Sequence, residues 1–168
     1  LRSKVEIKEL TKVKEYLNEL SELLINVVEE GASIGFLPPI SNQEAKKYWE
    51  TVLCPEVVLL VAKVGNQIAG SVQVHLSTKQ NGGHRAEIAK LMTHPDFRRM
   101  GIGRLLMEEA EAVAKQESRS LIVLDTREGD ASNYLYGSLG YIQGGSIPKY
   151  ARSASGELDA TIIYYKNI

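Results

Sequence analysis

The segment Leu91-Met92-Thr93-His94-Pro95-Asp96-Phe97-Arg98-Arg99-Met100-Gly101-Ile102-Gly103-Arg104-Leu105-Leu106 is where residue types and spacing point most directly to chemistry. An extended apolar stretch ends at Pro95, arginines and two glycines follow, and helical spacing of apolar residues begins at Ile102. A strand, a glycine loop and a helix start in this order make an anion site. The first amides of a helix lack intrahelical partners, and the helix dipole puts positive charge at the same end. Gly101 and Gly103 allow close approach to the backbone with no Cβ in the way. The plain alternative is a tight strand-to-helix turn with a solvated basic surface, and a Gly-x-Gly alone does not separate the two. A dinucleotide-binding loop needs a third glycine where Leu106 stands, and a P-loop needs Gly-Lys-Ser/Thr, which the chain lacks.

The elements that must position this loop follow from periodicity and turn chemistry. Val5 to Ile7 alternates as a short strand, and from Thr11 the positions Val13, Leu17, Leu20, Leu24, Val27 and Val28 recur at helical spacing until Gly31. After Pro38-Pro39, Ser41-Asn42-Gln43-Glu44 has the form of a capping box and opens a second helix to about Cys54, where Pro55 stops it. Val57–Val64, Ile68–Leu76 and Arg85–Thr93 read as a three-strand meander with turns at Gly65-Asn66 and Asn81-Gly82-Gly83. A helix from Ile102 to about Gln116 presents Leu105, Leu106, Ala110, Val113 and Ala114, and Leu121–Leu124 is a buried strand with Asp125 at its end. Asp130 caps a short helix through Ser138, and strands near Tyr141–Gln143 and Ala160–Lys166 finish the chain. The predicted order is β-α-α-β-β-β-α-β-α-β-β, a mixed α/β class with a mostly antiparallel central sheet flanked by helices. No linker or repeat divides it, so residues 1–168 read as a single domain.

Composition narrows the function. With 168 residues, 43% hydrophobic and 24% charged, the chain can bury a core without disulfides or a metal. Cys54 is its one cysteine, and with only three histidines, His75, His84 and His94, no metal-ligand cluster emerges. The setting expected is reducing and cytoplasmic. Cys54 reads as a buried thiol and not as a nucleophile. Twenty basic against 21 acidic residues leave no field to hold nucleic acid, and the apolar run Val57–Ala62 is far short of the roughly 20 residues that span a membrane. The chain begins at Leu1, and what precedes that residue is not legible from the sequence.

Two motifs together are specific. Arg98-x-x-Gly101-x-Gly103, preceded by Leu91-x-Thr93-x-Pro95 and followed by Leu105-Leu106, resembles the acyl-CoA-binding motif of the GCN5-related N-acetyltransferases (GNAT). Asn133-x-Leu135-Tyr136-x-x-x-Gly140-Tyr141 resembles that family's second signature, and the element order agrees along essentially the whole chain. Gly31–Phe36, Arg85–Glu87, Lys90–Met92, Leu124–Thr126, Leu139–Tyr141 and Ile163–Lys166 are similar to members that inactivate a tabtoxin-like β-lactam toxin.

The resemblance implies acetyl-CoA as co-substrate and transfer to the primary amine of a small molecule. The alternatives are a protein N-terminal or lysine acetyltransferase and a non-catalytic acyl-CoA-binding module. It implies that amides from Arg99 through Met100, Gly101, Ile102 and Gly103 to Arg104 bind the pyrophosphate, with Arg98, Arg99 and Arg104 adding charge. The edge Leu91-Met92-Thr93 would pair with the pantetheine arm like an added strand. An ammonium has no free lone pair, so a base must take its proton; the candidates are Glu87 and Asp125, whose ordinary roles are an exposed strand residue and a turn cap. Tyr136 is the candidate general acid for the leaving thiolate, since Leu135 and Leu139 suffice to bury its helix and leave the phenol free. Asn133 matches a position that contacts CoA in the family, with capping as its competing role. Ser33, Trp49 and Tyr150 are candidates to line the acceptor site, although core packing ranks first for Trp49. A homodimer is a further expectation, and no metal, nucleic acid or membrane is expected.

Overall fold

The computed structural model describes residues 4–168, and its element order is the one the periodicity predicts. Seven strands form one sheet: β1 (Val5–Leu10), β2 (Val57–Val64), β3 (Gln67–Leu76), β4 (Arg85–Thr93), β5 (Leu121–Arg127), β6 (Ile142–Arg152) and β7 (Leu158–Asn167). They lie side by side as β1-β2-β3-β4-β5-β7-β6, every neighbour pair antiparallel except β4 with β5. Helices α1 (Leu17–Glu29) and α2 (Asn42–Glu50) cover one face, and α3 (Ile102–Gln116) packs against the other; α4 (Ser132–Ser138) follows β5.

Alternation along the central strands divides the core between the two faces. In β2, Leu60 and Ala62 join Val72, Val74, Ala86 and Ile88 under Leu106 and Ala110 of α3. Leu59 and Val61 point the other way, to Leu20, Leu24 and Val28 of α1 and Trp49 of α2. The capping signal at Ser41 is used, because its hydroxyl accepts from the Glu44 amide at 3.1 Å.

Several local expectations change. The first helix does not open at Thr11; a 3₁₀ turn at Lys14–Tyr16 precedes α1. The second helix ends at Glu50 rather than near Cys54, and Cys54 is exposed, because the turn sends Val52 inward and leaves the thiol outside. Asp130 does not cap α4. Its carboxylate pairs with Arg127 at 3.0 Å, and the helix starts from Ala131 without a side-chain cap. Strand β6 is 11 residues long, far beyond Tyr141–Gln143, because it runs as an exposed edge against β7 and so lacks the half-buried alternation a sequence reading looks for.

Two departures from regular pairing make the site. β4 and β5 are paired only at Arg85–Glu87 with Leu121–Val123, and the parallel strands separate beyond that point. On the other edge of β4 the register to β3 slips, since Ser71 faces Met92 while Gln73 faces Ala89. One extra residue therefore sits in β4, a β-bulge, and Lys90 within it has φ 57°.

Candidate active site

The opening between β4 and β5 has two sides. On the first, the outer edge of β4 from Ile88 to Thr93 has no strand partner, because β5 has diverged. Close by, α3 starts from Gly101, whose φ of 74° is a backbone state that favours glycine. Its first intrahelical bond runs from the Leu105 amide to the Gly101 carbonyl at 3.1 Å, so the amides of Ile102, Gly103 and Arg104 precede the ladder and remain open. No side chain caps them. Free strand edge and free helix amides are the two parts that the family resemblance implies for the donor.

The flanking arginines differ from one another. Arg98 pairs with Glu30 at the end of α1 at 2.9 Å, and Arg104 donates to Ser138 Oγ at 2.6 Å. Arg99, at φ 64°, is exposed and makes no hydrogen bond or ion pair among the described residues. Met92 is buried among the α1 and α2 core residues, so only its backbone is offered at the edge, and Met100 packs on the α3 core.

Across the opening lies a cleft of about 390 Å³ whose walls include Ser33, Glu87, Lys90, Asp125, Tyr136 and Tyr150. It thus brings together all three residues expected to do chemistry and two of the three expected to meet the acceptor. Trp49 is the exception. It is fully buried between α1, α2 and the sheet, stacked edgewise on Tyr48, and belongs to the core and not to any acceptor site.

The two carboxylates are held differently. Asp125 Oδ2 accepts from Thr161 Oγ1 at 2.7 Å, which ties it to β7. Glu87 is exposed and makes no side-chain hydrogen bond or ion pair among the described residues. Tyr136 also departs from expectation: it is the buried residue of α4, 6% exposed, while Leu135 and Leu139 are only half-buried. Its ring packs edgewise on Tyr141 at 5.9 Å and tilted on Tyr164 at 5.8 Å. Burial, then the Asp125 charge and Tyr164, push its pKa up to about 12. The phenol therefore keeps its proton at neutral pH, and its wall still faces the cleft.

Asn133 does not cap α4, which has no side-chain cap, and instead bridges neighbouring elements. Its amide nitrogen donates to the Arg127 and Asp130 carbonyls at 2.9 and 2.8 Å, and its oxygen accepts from Tyr164 Oη at 2.7 Å. Both ends of the amide are occupied in holding α4 to β5 and β7. His94 is a local cap, its Nδ1 accepting from the Asp96 amide at 3.1 Å.

Among the cleft residues without an assigned role in the sequence reading are Lys90, Arg127 and Thr161. Lys90 stands in a quoted segment, yet strict alternation would send it to the α3 core beside Ala86 and Ile88. Only the bulge turns it toward the opening. Desolvation lowers its pKa, against the opposing charges of Asp125 and Glu87. Desolvation likewise lowers that of His75, which faces Glu87 across β3 and β4.

The site thus sets a splayed parallel strand pair with open amides on one side against an acid-lined cleft on the other. The chain belongs to the acetyltransferase (GNAT) family, the N-acetyltransferases, whose model matches residues 15–141. It is 29% identical over 115 residues to an uncharacterised N-acetyltransferase of the hisH–hisA intergenic region of Azospirillum brasilense, covering 67% of this chain and 68% of that one. The fold is similar to that of the ribosomal-protein-alanine N-acetyltransferase of Brucella melitensis, with TM-score 0.83, 19% identity and 97% and 99% of the two chains covered. It is also similar to the Salmonella typhimurium acetyltransferase yncA, determined with its cofactor acetyl-CoA, with TM-score 0.80, 16% identity and 97% and 93% covered.

Proposed function

We propose that the protein transfers an acetyl group from acetyl-CoA to the primary amine of a small molecule, by direct attack in a ternary complex. The observation that carries this reading is the opening itself: free amides and a free strand edge adjoin a cleft that holds Glu87, Asp125 and a protonated Tyr136. The residues present fit acetyl-CoA. Amides of Ile102, Gly103 and Arg104 would hold its pyrophosphate, with Arg99 free to add charge, and Leu91 to Thr93 would pair with the pantetheine amides as an added strand. When bound, acetyl-CoA supplies an activated acetyl thioester.

The remaining chemistry belongs to the chain. Glu87 and Asp125 attract an ammonium into the cleft. Asp125, fixed by Thr161, orients it, while Glu87, without a partner, takes the proton that frees the nitrogen lone pair, directly or through water. The amine nitrogen would then bond to the acetyl carbon as the carbon–sulfur bond breaks, and the second proton of that nitrogen would pass to water. Tyr136 Oη gives its proton to the departing sulfur. Ser33 and Tyr150 line the acceptor side.

A tabtoxin-like β-lactam amino acid is one acceptor to test, because the segments quoted above resemble the tabtoxin resistance protein and three of them supply Glu87, Lys90 and Asp125 to the cleft. The test is to incubate the protein with labelled acetyl-CoA, a panel of free amines including such toxins, and mixed proteins. Label on a free amine supports the reading. Label confined to protein N termini or lysines supports the protein-directed alternative, and CoA binding without transfer supports a non-catalytic module.

A further inference from the structure

The loop that follows α1 forms a wall of the cleft through Ala32, Ser33, Ile34 and Gly35. Residues 33 to 40 make no backbone-to-backbone hydrogen bond among the described residues. Packing of Ile34 and Phe36 on the α1/α2 core holds it from one side, with Phe36 edgewise on Tyr48 at 5.1 Å. From the sheet side it is held by two cations. Lys90 Nζ, on β4, donates to the Ile34 carbonyl at 2.7 Å, and Arg127 Nη2, on β5, donates to the Gly31 carbonyl at 2.9 Å. The two strands on either side of the opening therefore each send one side chain to the same loop.

Both ends of the Lys90 tether look built. The bulge holds Lys90 at φ 57°, a conformation that L residues other than glycine, asparagine and aspartate rarely adopt, and this aims the side chain at the opening. At the other end Gly35 has φ 92°, and a Cβ there would sit 2.9 Å from Lys90 Nζ.

We propose that Lys90 is a positioning residue for the acceptor: from the β4 bulge it ties the Ile34 carbonyl and so fixes residues 31–36 as one wall of the acceptor cleft, with Arg127 fixing the start of the same loop. The proposal rests on the reading that this cleft takes the acceptor amine. Loss of the tether frees the loop, so acceptor binding weakens while donor binding and the chemical step are retained.

The test compares the wild-type chain with Lys90→Met, which keeps the aliphatic stem, and with Gly35→Ala, which keeps the charge but crowds Nζ. Amide hydrogen exchange at Gly31 and Ala32, whose amides bond to the Val28 and Val27 carbonyls where the loop begins, should speed up roughly tenfold in Lys90→Met, as expected for loss of a charge-assisted hydrogen bond. Exchange in β2 and β3 should be unchanged, which shows that the variant is folded. Steady-state assays should give an acceptor KM raised about tenfold, kcat within about threefold, and an unchanged KM for acetyl-CoA, with Gly35→Ala shifted in the same direction. Unchanged loop exchange in Lys90→Met overturns the tether. Faster exchange with an unchanged acceptor KM overturns the positioning role. A wild-type chain that acetylates no free amine contradicts the proposed function instead, and the exchange comparison still decides the tether.

Discussion

Tyr136 combines two properties that a proton donor needs at neutral pH: a pKa high enough to keep the proton and a position on the wall of the cleft. Its burial among Tyr141 and Tyr164 supplies the first, and the short α4 supplies the second. Tyr136→Phe preserves the ring packing and removes only the hydroxyl, so it should lower kcat by about 10²-fold or more, the usual scale of general acid catalysis, while CoA affinity stays within about twofold. Retained turnover would remove the general-acid role. The carboxylates should separate in the same assay. Glu87→Gln is expected to reduce kcat more than KM rises, whereas Asp125→Asn, which disturbs a carboxylate bonded to Thr161, should raise the acceptor KM as well. Chemistry-bearing residue types were readable at this scale, because Glu87, Asp125 and Tyr136 stand in recognisable segments. Lys90 was not, since its orientation depends on one extra residue in a strand, and a single inserted residue reverses which face a side chain takes. Trp49 takes the core place that ranked first for it, and the helix packing is what separates that place from a site lining.

At the scale of elements, α3 is the part most completely written in the sequence. Its glycine start, its end at Gln116 and Ile102, Leu106, Ala110 and Ala114 of its apolar stripe agree with the structure, whereas Leu105 is exposed and Met107 takes a buried place instead. Strand β6 is the opposite case: an exposed edge has no alternating burial, so most of its length carried no signal. The donor side of the opening depends on the start of α3. Gly101 sits at φ 74° with open space around its Cα, so Gly101→Val meets no neighbour but strains the backbone. That variant should lose acetyl-CoA binding by at least about tenfold in calorimetry through displaced amides, with little change in the core. Unaltered binding would mean that these amides do not hold the donor.

For the whole molecule, the tyrosine cluster links stability to pH. An unfolded tyrosine ionises near 10, whereas burial holds the Tyr136 proton to about 12 and raises Tyr141 further, beside Glu111. The folded state therefore binds more protons through that window, so the contribution is complete below pH 10 and is lost as pH climbs through 12. Denaturant titrations should show stability falling from pH 9.5 to 11.5, with Tyr136→Phe reducing the fall by on the order of 1–2 kcal/mol. A fall unchanged by that substitution would place the linkage elsewhere. The same burial serves the reaction, because a sheet that opens between β4 and β5 sets a buried phenol and two carboxylates on one side and free amides on the other. The most direct measurement of that arrangement is the initial rate of thiol release with acetyl-CoA and an accepted small amine both varied. Direct transfer in a ternary complex predicts amine-dependent release with intersecting double-reciprocal lines; parallel lines, or release that no small amine accelerates, would contradict it.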